Sequence, residues 1–542
     1  MKRFILISFL GLTLGLIAPV SAQQHEPAAG DADELGEAAF ATSCAPEVQG
    51  SFNRAVAMLH SFWYQVSERA FAEIAETDPS CAMAYWGIAM SRFRQLWETR
   101  SEEDVTVGQT ALERARRVGA GTARERDYIR ALDQFYGAAS EAEFLDRKVA
   151  YEQAMEGLYR RYPDDREAAV FYALALLGTA RFSPPDKTYD RQKRAGAILE
   201  EIFAAQPNHP GLAHYIIHSY DYPQLAGEAL DAARRYANIA PDAPHALHMP
   251  SHIFTRLGLW QESIGSNREA AAAARRDQWT GQELHATDYL AYAYLQGAQD
   301  GEAERIVDEV PKQRERLKED DTNYFSGLYA TAAIPARFAL ERRQWKEAAA
   351  LNVPVGVFPD GNACAADATL VFARGLGAAR TGELPDARHS IRALELCRET
   401  LLQNSEDLWA NRVEVQRRSV AAWVALAEGK KDDALALMRF AADLEDGSDK
   451  PPTTPGSIVP ARELLGEMLL DVQLPPEALS AFEAALEDTP NRFRSLYGAA
   501  RAAKLLGDVE RARKYFSLLV DVSRQGDGER AELREAKEFL GS

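Results

Sequence analysis

Several chemistries are missing from this 542-residue chain. After Val20 no apolar run is long enough to span a bilayer, which excludes a multi-span membrane protein. Cysteine is scarce, with only four, and no C-x-x-C redox pair is present. No G-x-S-x-G elbow, Gly-rich phosphate loop or H-E-x-x-H metalloprotease motif occurs. The short Gly375-Leu376-Gly377 lies in an Ala-rich helical stretch without the strand-to-helix context of a nucleotide fingerprint. Positive charge is in deficit: 62 Lys and Arg face 81 Asp and Glu, a net charge of −19. An acidic chain repels phosphate backbones and anionic lipid surfaces, so nucleic acid is not an expected partner. Metal ions, cationic ligands and basic protein surfaces are electrostatically easier.

The first apolar run is informative. Lys2 and Arg3 precede an apolar stretch from Phe4 to Val20, and Ser21-Ala22 completes a small-residue cleavage pattern. Residues 1–22 therefore read as a secretory signal peptide, and a periplasmic or secreted bacterial protein without stable membrane insertion is expected. Residues 23–43 are small, acidic and polar, and read as a flexible leader. In an oxidising compartment Cys44, Cys81, Cys364 and Cys397 are expected to form disulfides. Three pairings are possible. Within each of the pairs Cys44/Cys81 and Cys364/Cys397 the spacing is about one helical hairpin, which favours two local staples.

From about Glu47 onward nearly every segment has helical periodicity and is rich in Ala, Leu, Glu and Arg; no convincing alternating strand appears. The fold class expected is all-α. At the C-terminus Ala478, Phe482, Ala485 and Pro490 form a spaced set, and Ala512 and Phe516 repeat its first two positions 34 residues later, with Gly507 at the turn between. Small residues let paired helices approach, the aromatic fills the groove, and proline ends the second helix. This pattern resembles the tetratricopeptide repeat family over residues 460–520. Weaker copies upstream suggest a solenoid of about ten to thirteen such hairpins. Its organisation is expected to be an N-terminal array over 44–350, middle hairpins over 351–445, a Pro-rich loop over 446–457 and regular repeats over 458–542. FNRAVAMLHSFWY, DPSCAMAYWGIAM and PHALHMPSHIFTRLGLW together are similar to an exported bacterial group of these proteins, in outline like the tetratricopeptide repeat protein 38 kind. That resemblance implies a fold and no established reaction.

Six of the ten histidines lie between His209 and His252. His214/His218 and His248/His252 are i, i+4 pairs, so each pair shares one helix face, and the pairs are related by the 34-residue repeat. The family resemblance implies that His214, His218, His245, His248 and His252 occupy groove-lining positions of consecutive first helices. Asp221 joins them there, His285 and Asp288 open the next hairpin, and Trp86 stands at a corresponding position of an early repeat. Three readings compete: imidazoles that only shape the groove, a contact surface for a protein, peptide or small-molecule ligand, and a site for a divalent transition metal. In the third, His214, His218, His248 and His252 are the ligands, with Asp221 or Asp288 assisting. Pro250, between His248 and His252, threatens to kink that helix. His60, beside Phe62-Trp63-Tyr64, reads as a capping or packing residue. The leading expectation is an exported binding scaffold; the alternative is a metal-binding protein or metalloenzyme. No catalytic residue is identifiable, and whether the chain is an enzyme stays open.

Overall fold

The computed structural model describes residues 34–96, 101–137, 144–184, 186–319, 321, 323–353, 361–448, 453–528 and 530–541. All of them belong to the compact unit Glu34–Ser542. Every regular element among them is helical, and most helices pack against their sequence neighbours as antiparallel hairpins. None is long and apolar enough to cross a membrane. The expected signal peptide lies outside the described residues, as do 354–360 of the expected middle hairpins and 449–452 of the Pro-rich loop.

The hairpins follow from composition and local signals. Thr122 and Glu125 form a reciprocal capping box at the start of Ala123–Tyr136. Gly507 ends Phe493–Leu506 in the left-handed conformation, φ +75°, at the turn read from sequence. The repeat signature packs as expected. Ala478, Phe482, Ala512 and Phe516 are fully buried, and Gly498 lies so close to the Phe482 ring that a Cβ would come within 2.3 Å of it. Cys44 is bonded to Cys81 and Cys364 to Cys397. Each closes one hairpin-length loop, worth about 3–4 kcal/mol on chain-entropy grounds.

Two expectations change. The leader is not loose from Glu34 on. Leu35 and Phe40 are buried, Glu37 donates its N–H to the Asn208 carbonyl, and Phe40 N–H bonds to Asn53. Phe40 fills the inner face of the first repeats, with its ring 5.3 Å from Trp86. Trp86 is consequently a core residue at 1% exposure, enclosed by Phe40, Tyr128 and Phe171, and not part of an open ligand groove.

The apolar interior is also divided elsewhere than at the expected loops. One cluster runs from Leu35 to Phe254 and another from Ala298 to Ala536, with smaller clusters between them. The handover falls on the histidine-bearing hairpins. The C-terminal repeats fold back onto this region: Trp260 donates to the Asn491 carbonyl at 2.9 Å, and the Gln296 side chain accepts from Phe493 N–H at 3.0 Å.

Candidate metal centre

Four helices bring the histidines together. His214 and His218 lie on Pro210–Tyr220, which starts at Pro210 and is capped by the His209 side chain. His245 and His248 lie on Pro244–His248, and His252 lies on Pro250–Arg256. Pro250 does interrupt the hydrogen-bond ladder there. Met249 nevertheless keeps right-handed helical angles (φ −54°, ψ −36°), so His248 and His252 remain one turn apart on one face. His285 comes from Thr280–Gln296.

The predicted four-imidazole set separates into two sets of three. His214 and His218 gather with His245, and His248 and His252 gather with His285; within each set the candidate ligand nitrogens lie within 4.8 Å of one another. His214 Nε2 is 3.1 Å from His218 Nε2, and His248 Nε2 is 3.2 Å from His252 Nε2. The sets are neighbours, with the His245 and His248 rings 6.5 Å apart.

Hydrogen bonds on the far side of the rings fix which nitrogen carries the proton. Asn267 donates its Nδ2 to the Ser263 carbonyl, which leaves its Oδ1 to accept from His248 Nδ1 at 2.8 Å. Asp221 accepts from Arg256 through one oxygen and from His252 Nδ1 through the other, each at 2.9 Å. Both Nδ1 protons are thereby committed, and the two Nε2 lone pairs face each other in a buried site. His214 is arranged alike, donating Nδ1 to the His60 carbonyl at 2.7 Å. Metal-bound imidazoles are oriented in this way by carbonyl and carboxylate partners.

Burial favours the neutral form of the first set. Desolvation, reinforced by neighbouring imidazoles, holds His214, His218 and His245 well below the ordinary histidine value. Metal ligation requires the same neutral form. His245 Nε2 is buried and has no hydrogen-bond partner. Phe62, in the left-handed conformation at φ 54°, turns its ring onto His214, His218 and His245. Tyr289 packs against His248, His252 and His285.

Asp288 is elsewhere: its carboxylate is 3.4 Å from the buried Arg337 guanidinium. His60 is buried beneath the site, its Nε2 donating to Glu167 at 2.9 Å and its Nδ1 accepting from Tyr215 at 3.0 Å. His209 donates Nε2 to the other Glu167 oxygen at 3.0 Å while its Nδ1 accepts from Leu212 N–H. All ring nitrogens of this third cluster have partners, so it holds the site in place without needing an ion. Asn267, Phe62 and the His60 carbonyl carry no signal in sequence, because each reaches the site from another helix or turn, whereas Tyr289 follows His285 by one turn of the same helix.

A cavity of about 870 Å³ reaches the first set, with His218, Asp221 and Tyr222 in its wall. Leu96, Leu177, Phe182, Glu406 and Asp407 are also in its lining.

No protein-family model matches the chain, and no curated protein does. Among solved structures it is similar to human IFIT1 as a dimer with m7Gppp-AAAA, at 13% identity and a TM-score of 0.38, over 85% of this chain and 89% of that one. It is also similar to a monomeric IFIT1 mutant with Gppp-AAAA, at 13% identity and a TM-score of 0.38, over 92% and 95% of the two chains. At that distance the likeness assigns this chain no ligand.

Proposed function

We propose that this is an exported helical-repeat protein that holds two transition-metal ions, one on His214, His218 and His245 and the other on His248, His252 and His285. The observation that carries the reading is the 3.2 Å approach of His248 Nε2 to His252 Nε2 when Asn267 and Asp221 already hold both Nδ1 protons. Two opposed lone pairs repel, and burial makes a shared extra proton costly; a cation between them removes both penalties. Ion–nitrogen bonds of about 2.0–2.1 Å in a tetrahedron put ligand nitrogens about 3.3 Å apart, close to what both pairs present. Three neutral imidazoles suit zinc, copper, iron or nickel and leave a fourth position for water or another ligand. The cavity beside His218 also favours a second, compatible reading, a groove that binds a peptide, protein or small molecule.

Metal analysis of the purified mature protein after exposure to zinc, copper, iron and nickel tests the first reading. Two ions per chain are expected in the native protein, one each in His218→Ala and His252→Ala, and none in the double variant, with unchanged far-ultraviolet circular dichroism. A native protein that retains no metal overturns it. For the groove, a pull-down from an exported-protein extract that recovers nothing counts against a macromolecular partner.

A further inference from the structure

Resting on the two-ion reading, we infer that the two ions differ in role: the His248/His252/His285 set is closed, whereas the His214/His218/His245 set keeps a coordination position open to the cavity and takes a phenol-class ligand there. The closed set is enclosed on every ligand. His248, His252 and His285 are 4%, 4% and 8% exposed, and Asn267, Asp221 and the Tyr289 ring surround them. In the other set His218 and His245 are only half-buried, and His218 forms part of the cavity wall. His218 also lacks the carboxylate or carboxamide partner that fixes each of His248 and His252, which suits a position where ligands exchange.

The cavity defines the ligand. About 870 Å³ is within the range of small-molecule sites. Leu96, Leu145, Leu177 and Phe182 offer an apolar wall to an aromatic ring. Arg181 is also in the lining, its Nε buried without a hydrogen-bond partner and its guanidinium 6.0 Å from the centre of the Phe182 ring. A phenol suits this lining. Its ring packs on the apolar wall, and its oxygen binds the ion as phenolate while the hydroxyl proton leaves to solvent.

Copper(II)-loaded protein tests this with two probes, azide and phenol, each read by its ligand-to-copper charge-transfer absorption. Both bands are expected in the native protein with a stoichiometry of one per two ions. Both persist in His252→Ala, which retains the open site, and vanish in His218→Ala, which retains the closed one. An azide band that follows the opposite variant, or one at both ions, overturns the assignment of the open site. Azide binding without a phenol band overturns the ligand class. Two bound ions with neither band overturn the whole inference and leave metal binding intact, whereas no bound metal defeats the earlier reading instead.

Discussion

Asp221 is the residue on which the second site's electrostatics turn. It holds the His252 proton on Nδ1 and is itself held by Arg256 Nε at 2.9 Å, so the ring presents a fixed, electron-rich Nε2. Asp221→Asn keeps the shape and removes the charge. Loss of such an outer partner costs about 10–100-fold in metal affinity. The expected result in a chelator competition is one ion weakened by about that factor and the other unaffected; two unchanged affinities would show that the carboxylate does not tune the site. The i, i+4 spacing made His214/His218 and His248/His252 legible as pairs. The regrouping with His245 and His285 was not, since spacing along a helix says nothing about which ring of a neighbouring hairpin completes each set. Phe62 was still less visible, because only its left-handed turn conformation directs the ring inward.

Between helices, Glu167 is the joint. It sits on Arg166–Phe182 and accepts from His60 at the end of Gln49–His60 and from His209, the cap of Pro210–Tyr220. Burial alone would raise its carboxyl, but the two facing imidazoles outweigh that and hold it well below the ordinary 4.5. Its contribution is therefore present above the unfolded value and is lost as pH falls through the lower folded value. His60 is lowered by burial, so its contribution begins to fade as pH drops below the unfolded 6.5. In metal-free protein the urea midpoint should be level above pH 7, decline below about 6.5 and decline further below about 4.5. Glu167→Gln should be less stable at pH 7 by about 3 kcal/mol, the order expected for breaking a buried pair, and its gap to the native protein should narrow below pH 4.5. A gap constant from pH 7 to 4 would refute this role for the carboxylate. The interruption at Pro250 could be read locally. That Pro250 leaves the histidine register intact depends on the packed backbone around Met249.

The whole molecule is closed by contacts far apart in sequence. Arg492 is fully buried and donates to Glu463 at 2.7 Å, to Tyr292 at 3.1 Å and to Glu341, which ties the last repeats to the centre. At the same junction Gly258 has φ +64°, and a Cβ there would lie 2.1 Å from the Pro490 carbonyl oxygen. Gly258→Ala must strain the turn and push the C-terminal repeats away. A left-handed non-glycine residue alone costs about 1–3 kcal/mol, and the clash adds to it. The expected outcome is a lower urea midpoint together with faster proteolysis between the central and C-terminal repeats. Unchanged proteolysis would mean that this contact does not hold the two regions together. Gly258 is constrained by its own turn and by Pro490, more than 200 positions away.

Sequence alone determined the all-helical class, the hairpin signature at the C-terminus, both disulfide pairs as the favoured local staples, and the pairing of histidines one helical turn apart. Each of these is a short-range property: period, spacing and turn chemistry act within one hairpin. The tertiary structure decided what hairpins do to one another. It packed Phe40 of the leader against Trp86, moved Asp288 to Arg337, joined the C-terminal repeats to the centre, and gathered the histidines into two sets of three, one more deeply buried than the other. Those outcomes depend on which side chains from distant segments compete for the same buried space and the same hydrogen-bond partners, and no local pattern encodes that competition.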